Sequence, residues 1–583
     1  MKEEKIQNYS NAETQCREEI FGFLRFSLGK NFDENLIFIE YPPEASMGDF
    51  SITCFGLAKK AGVSPNEFTK SLAEQFTIQK KVTRDGRIIR DAKSFGPYLN
   101  FFVDYRRFAK NVINQILKEK KDFGNSNIGK GQKIMIEYSQ PNTHKEFHIG
   151  HLRNVCIGFG LVQLYKVLGY KVISANYIGD IGAHVAKCLW AYTKFHYSDA
   201  LPKNKGKFLG EIYVEANKKL KENEEYKKEV SEILQKLEAG DKKLTSLWKK
   251  TRKWSLNEFY SIYKNLGVAF DVYFFESEVE EDGKKIVAKL LKDGVAKKSE
   301  GAVIIDLEAH GLKQFLLLKS DKTSLYSTKD LALAQIKFKK YGIDKSFYVV
   351  DMRQSFYFQQ LFKTLEIMGV RKAMAHVPYE FVTLKESAMS SRSGNIVLFE
   401  DFEGAIMLKV EQETRKRHNE WKEGKIKNVS MKISHAAMKY SMLSHGNNSV
   451  IVFDMERSLA LHGDTGPYLQ YVYARISGIL KKVNTRGGKI LFEESFNEEE
   501  MNLARKLSRF PKILELSAET FDPSLLSHYL YELAQIFSVF YEKVPVLAGE
   551  PKMLAQRLAI LRAVRAVFTK GLKILGIEPL EQM

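Results

Sequence analysis

The sequence predicts a multidomain α/β protein: a Rossmann-type central domain with a parallel sheet and a helical insertion, an α+β N-terminal domain before it and an all-α C-terminal domain after it. Three observations carry that prediction. The first is length, since 583 residues exceed what one hydrophobic core serves and imply roughly three to four domains. Second, residues 133–179 read as strand, helix, strand: KIMIEYSQ, then IGHLRNVCIGFGLVQLYKVLG, then YKVISANYIG. Such a unit seeds a parallel, doubly wound sheet. Third, from about residue 405 to the end the pattern is almost wholly helical, with heptad-like apolar spacing in LSHYLYELAQIFSVFY and LAQRLAILRAVRAVFTKGLKIL.

Residues 1–125 alternate amphipathic helix patterns with β-like runs such as LIFIEYPP and YLNFFVDY. The polar stretch KEKKDFGNSNIGKGQK, with three glycines, reads as a linker. The central domain is expected over 126–445, with strand-like runs at GAVIIDL, FLLL, SFYVVDM and HVPYEFVTL. A Lys/Glu-rich stretch at 196–265 interrupts it, and its mixed signs read as a solvated helical insertion. Residues 446–583 form the helical C-terminal domain.

Charge points towards a polyanionic partner. The 90 Lys+Arg against 71 Asp+Glu leave +19, and neutralising phosphates releases counterions, although a general solubility charge has the same sign. Cys16, Cys54, Cys156 and Cys188 form no paired motif, which argues against a zinc site and a disulfide framework and fits a reducing cytoplasm. The polar N-terminus lacks the apolar core of a signal peptide, and no run approaches the length that spans a bilayer, so a soluble protein is expected.

The densest chemistry lies in SQPNTHKEFHIGHLRN, residues 139–154. His148 and His151 flank Ile149 and Gly150 where a strand gives way to a helix. A helix N-terminus presents unpaired N–H groups and suits phosphate, and two imidazoles there can donate hydrogen bonds to the oxygens of an ATP transition state. Gly150 lets a flat adenine lie against backbone. A metal pair or a simple helix cap are the alternatives; the strand before and the helix and strand behind favour catalysis.

In this context P-N-T-H-K-E-F-H-I-G-H-L-R resembles the HIGH signature of class I aminoacyl-tRNA synthetases in its arginyl form, with Asn142 and Lys145 at that form's positions. The resemblance implies that His148 and His151 stabilise the α-phosphate as the amino acid carboxylate attacks. It also implies that Ser139 and Asn142 meet the substrate's α-amino group. A second ATP loop of KMSKS type matches KESAMSSRSGN, 385–395, where Ala388 and Ser391 stand in place of the two lysines. Against the arginyl form the match is Met389, Ser390, Ser391 and Arg392, and the resemblance gives the missing charge to Lys145, with Arg392 and Lys385 as further cations. A flexible polar loop is the bland alternative at 385–395.

A pocket for arginine needs carboxylates to pair with a planar guanidinium. Tyr326 and Asp330 lie at i and i+4 in SLYSTKDLALA, which resembles the family's Y-x-T-x-D motif. By the same resemblance Glu276 approaches the guanidinium, Gln354 the α-amino end, and His376 the adenine. NYIGDIGAH (176–184) is similar to the family's N-H-x-G-D-x-G segment, with Tyr177 in place of its His. GDTGPYLQYVYARI (463–476) resembles the entry to the anticodon-binding domain. There Gly466-Pro467 starts a helix, and Tyr468, Gln470, Tyr471 and Arg475 offer stacking and phosphate contacts, with core packing as the competing role for both tyrosines. The terminal Met583 is also a family trait. The segments EASMGDFSITCFGLAKKAG and FGPYLNFF are similar to the family's additional domain, which contacts the tRNA elbow.

The resemblance therefore implies a monomeric arginine–tRNA ligase. ATP enters with Mg²⁺ held chiefly by its phosphates, arginine and its tRNA are the other substrates, and tRNA is needed for activation. No bound zinc is expected. Two other readings stand beside it: an idle paralogue that only binds tRNA, and a class I synthetase for another amino acid, with lysine the nearest rival.

Overall fold

The structure is a computed structural model that describes residues 12–82, 86–321, 323–385, 397–483, 492, 496–548 and 550–583. The chain forms two spatial units. One comprises Met1–Ser126, Arg475–Ile513 and Tyr529–Lys570; the other comprises Asn127–Ala474, Leu514–His528 and Gly571–Met583.

In the first unit, β1 (Ile39–Glu40), β2 (Phe50–Thr53), β3 (Ile89–Phe95) and β4 (Tyr98–Val103) make an antiparallel sheet in the order β1-β2-β4-β3. Helices Ala12–Leu28 and Pro65–Val82 pack on it through Phe23, Phe76 and Phe101, whose rings meet edge to face at 5.0–6.2 Å. Helix Tyr105–Glu119 is capped by Asp104, which accepts from the Arg107 N–H, and buries Phe108, Val112 and Ile116 at helical spacing. The N-terminal segment and C-terminal helices share this unit directly: Asp49 pairs with Arg505 at 2.8 Å, and Lys570 donates to the Phe123 carbonyl at 2.6 Å.

The second unit is built on β5 (Lys133–Glu137), β6 (Lys171–Ile178) and β7 (Val272–Phe275). Three short strands, β8 (Lys297–Ser299), β9 (Ala302–Ile305) and β10 (Phe315–Leu318), pair among themselves, and β11 (Lys345–Asp351) and β12 (Ala373–Tyr379) complete the main sheet. That sheet runs β12-β11-β5-β6-β7 with every pairing parallel. GAVIIDL and FLLL thus belong to a separate antiparallel sheet, while β7, hidden in FDVYFFESE, supplies the fifth parallel strand. From β5 the strand order proceeds one way to β6 and β7 and the other way to β11 and β12. A switch of this kind opens a crevice at the carboxyl ends of the strands, and the loop after β5 leads into it.

The solvated insertion needs a correction. Helices Lys205–Glu222 and Glu225–Glu238 carry the exposed Lys/Glu run, but Lys242–Asn265 buries Thr251, Ser255, Leu256, Phe259, Ile262 and Tyr263 along one face. That face holds the loop after β5, as described below. Helices Phe399–Arg417, Glu423–Leu443 and Gly466–Lys482 follow, the last starting at the expected Gly466. No described helix is long and apolar enough to cross a membrane.

Candidate active site

The loop between β5 and helix Ile149–Val167 is strained and heavily braced. Ser139, Gln140 and His144 take positive φ of 79°, 48° and 64°, each costing about 1–3 kcal/mol for a residue with a Cβ. Ser139 donates its N–H to the Asn154 side chain and pairs its hydroxyl with Tyr263 at 2.7 Å. The Gln140 N–H reaches Asn176 Oδ1 at 3.1 Å, and the Thr143 N–H reaches the Gly179 carbonyl at 2.8 Å. His144 is wholly buried, its ring nitrogens bracketed by the hydroxyls of Thr143 (3.0 Å) and Thr251 (2.8 Å) and its N–H donated to Ser255 (2.9 Å). Burial pushes His144 down to about 3, so it braces the loop as a neutral ring. The insertion helix thereby sets the conformation of the loop that carries Ser139, Asn142 and Lys145.

His148 and His151 stand stacked at the N-terminus of the 149–167 helix, ring centroids 3.8 Å apart. The Gly150 N–H donates to His148 Nδ1 at 3.1 Å and the His148 N–H donates to His151 Nδ1 at 3.2 Å, a reciprocal cap. Burial, helped by Lys145, holds His148 down to about 4; burial, then His148, then Lys145, hold His151 well below its ordinary value. Both rings are therefore neutral at pH 7, and with Nδ1 accepting, each proton sits on Nε2. The pair offers two N–H donors beside a helix N-terminus, an arrangement suited to phosphate oxygens. A Cβ on Gly150 would lie 3.0 Å from the His148 ring, so glycine there makes room for the stack. The Lys145 ammonium rests over the Tyr213 ring at 5.2 Å.

Met389, Ser390, Ser391 and Arg392 lie outside the described residues. The described residues on either side of that segment are held in place: Lys385 pairs with Asp454 at 2.9 Å, and the Ile149 N–H donates to the Val397 carbonyl at 3.1 Å.

Among the residues expected to meet the amino acid, Asn142 forms an isolated bridge with Gly179, and its Oδ1 would lie 2.1 Å from a Cβ placed on that glycine. Only glycine fits there. Glu276, the first residue of helix Glu276–Lys292, is buried and bound to Lys329 at 2.7 Å. Asp330 accepts from the Tyr357 hydroxyl at 2.5 Å, and burial pushes its carboxyl up to about 7. Tyr326 opens helix Tyr326–Tyr341 and is 58% exposed. Gln354 is exposed at the end of a short 3-10 turn, Met352–Gln354. His376 contacts the Val350 carbonyl through Nε2 at 2.9 Å and stacks on Phe358. Asp180 is fully buried, gripped by Ser277 N–H (2.9 Å), Ser277 Oγ (2.7 Å) and Arg252 (2.7 Å). Glu146 and Glu258 line a small cavity with Lys207 and Glu400; burial and then Glu211 raise Glu146 to about 7, and burial and then Glu400 and Glu146 raise Glu258 to about 8.

Along the Gly466–Lys482 helix, Tyr468 and Tyr471 are half-buried, and Arg475 lies over the Tyr541 ring at 4.8 Å. Gln470 is a correction: its side chain has no accessible surface and donates to the Glu578 (2.7 Å) and Lys432 (3.3 Å) carbonyls, so it ties the helical core and cannot touch RNA. Met583 is half-buried at the end of the chain.

Sequence reasoning did not single out His144, Asn176, Thr251, Ser255, Tyr263, Lys329 or Tyr357. His144, Asn176 and Lys329 sit inside the quoted motifs, so their place was readable; the others come from distant segments joined only by folding.

Three family models match the chain: the N-terminal domain of arginyl-tRNA synthetase over residues 14–103, the class I (R) tRNA synthetase catalytic domain over 112–455, and the DALR anticodon binding domain over 469–583. The arginine–tRNA ligase of Bdellovibrio bacteriovorus is 38% identical over 554 residues, covering 93% of each chain. That of Clostridium perfringens is 36% identical over 94% of this chain and 96% of its own. The fold is similar to Thermus thermophilus arginyl-tRNA synthetase, with a TM-score of 0.80 at 22% identity over 97% of this chain and 100% of that one. It is also similar to the Plasmodium falciparum enzyme, with a TM-score of 0.78 at 21% identity over 97% and 99%. The chain belongs to the class I arginyl-tRNA synthetases, the arginine–tRNA ligases.

Proposed function

We propose that this chain activates L-arginine with ATP and transfers it to the 3′-terminal adenosine of its tRNA. The arginine carboxylate attacks the α-phosphorus, the bond to the bridging oxygen breaks, and pyrophosphate leaves with its Mg²⁺. A ribose hydroxyl of the tRNA then attacks the adenylate carbonyl and AMP departs. The observation that carries this reading is the stacked, neutral, Nε2-protonated pair His148 and His151 at a helix N-terminus. These two N–H groups donate to the α-phosphate oxygens as negative charge builds there.

Lys145, with Ser390, Ser391 and Arg392, neutralises the departing pyrophosphate. Gly150, Ile149, His376 and Met389 hold the adenosine end of ATP. Ser139, Asn142 and Gln354 orient the α-amino group, while Glu276, Tyr326 and Asp330 take the guanidinium. Tyr468, Tyr471, Arg475 and Met583 serve the tRNA. Residues 1–125, 126–445 and 446–583 act as the additional, catalytic and anticodon-binding domains of a cytoplasmic monomer, with activation requiring tRNA.

ATP–pyrophosphate exchange with a panel of amino acids, with and without tRNA, tests the reading. Exchange with arginine in the presence of tRNA is expected. Exchange with lysine instead would overturn the substrate, and no exchange under any condition would leave a tRNA-binding paralogue.

A further inference from the structure

Tyr177 is a polar residue for which the machinery above has no use. It lies on β6, beside Asn176 and two residues from Gly179, and its ring packs on a cluster that includes Ala332 and Leu333 of the helix carrying Asp330. Its hydroxyl has neither accessible surface nor a hydrogen-bond partner among the described residues. Orphaned buried hydroxyls are uncommon and call for a reason. The neighbouring acids are each engaged elsewhere: Glu276 with Lys329 at 2.7 Å, Asp330 with Tyr357 at 2.5 Å, and Glu137 with Gln140 at 3.2 Å and Lys337 at 2.5 Å. The acids around it are thus already paired with other groups, and the Tyr177 hydroxyl is left over.

A guanidinium brings five N–H donors in a fixed fork and no acceptor, and a dry pocket must find an oxygen for each. We propose that the Tyr177 hydroxyl is a further specificity-determining group of the arginine pocket, its oxygen accepting a guanidinium N–H that the carboxylates of Glu276 and Asp330 leave over. This rests on the reading of Glu276 and Asp330 given above. Burial and then Asp330, Glu276, Glu137 and Tyr357 raise the phenol well above its ordinary value, so it enters the pocket as a neutral hydroxyl with lone pairs to offer. The segment that NYIGDIGAH resembles carries a His at this place, another side chain with a lone pair near its tip.

The test uses the full chain with its tRNA and compares wild type with Tyr177→Phe, which keeps the ring and removes only the hydroxyl. In ATP–pyrophosphate exchange the KM for arginine should rise about tenfold, with kcat and the KM for ATP within twofold. The melting temperature without arginine should hold or rise, because an orphaned polar atom has been removed, while the shift induced by arginine shrinks. An unchanged arginine KM and an unchanged arginine-induced shift would overturn the inference while leaving the function intact. Equal loss of arginine and ATP affinity with a lowered melting temperature would also overturn it, marking a structural role. A wild-type chain that shows no arginine-dependent exchange or thermal shift would overturn the underlying reading, and the inference with it.

Discussion

Asp330, proposed above to take the guanidinium, would give the arginine pocket a pH dependence that can be worked out from the structure. Burial raises its carboxyl to about 7, and the hydrogen bond from Tyr357 at 2.5 Å opposes that rise without cancelling it. The empty site therefore favours the protonated acid below pH 7, whereas a guanidinium favours the carboxylate. At about pH 6 only about one tenth of the empty sites are ionised, a cost of about 1.4 kcal/mol to binding. The KM for arginine should then rise about tenfold per pH unit below 7 and level off above it. Glu146 and Glu258 titrate in the same window, so the comparison with Asp330→Asn carries the argument. The variant should bind arginine about 30-fold or more weakly, because one partner of a buried charged contact is gone, and its KM should be flat from about pH 6 to 8. Exchange kinetics across that range measure both. Parallel pH profiles for the two proteins would refute the assignment of the raised acid to the arginine site.

Three other substitutions give separable outcomes. Lys145→Ala should slow adenylate formation about 10²-fold with little change in arginine KM, and a wild-type rate would place the compensating charge elsewhere. Lys329→Met leaves Glu276 as an unpaired buried charge and should cost about 3–5 kcal/mol in urea unfolding; a loss under about 1 kcal/mol would show that the pair is not needed to hold that carboxylate. Gln470→Leu should cost about 1–3 kcal/mol of stability by orphaning two carbonyls and leave tRNA affinity within twofold. Tenfold weaker tRNA binding at unchanged stability would restore a direct contact.

Much of the fold was legible because its signals are local. The runs KIMIEYSQ and YKVISANYIG announce β5 and β6, and Gly466-Pro467 marks a helix start, each through periodicity or turn chemistry within a few residues. β7 escaped because four residues before a helix carry too little alternation to separate from their surroundings. The insertion misled for a different reason. Its middle is a solvated Lys/Glu run, and nothing in its composition shows that Thr251, Ser255 and Tyr263 face His144 and Ser139 more than a hundred positions away in sequence. Motif spacing located His148 and His151, but their protonation state depends on burial and on the Gly150 and His148 N–H groups, which only three dimensions supply.

The central claim is that two neutral, Nε2-protonated histidines stabilise the α-phosphate during arginine activation. Single-turnover formation of arginyl-adenylate by His148→Ala and His151→Ala, with tRNA present, addresses it most directly. Each variant should lose about 10²–10³-fold in rate with the KM for arginine and for ATP changed no more than a few-fold, and the wild-type rate should show no titration attributable to either ring between about pH 6 and 8. Rates within threefold of wild type in both variants would contradict the account.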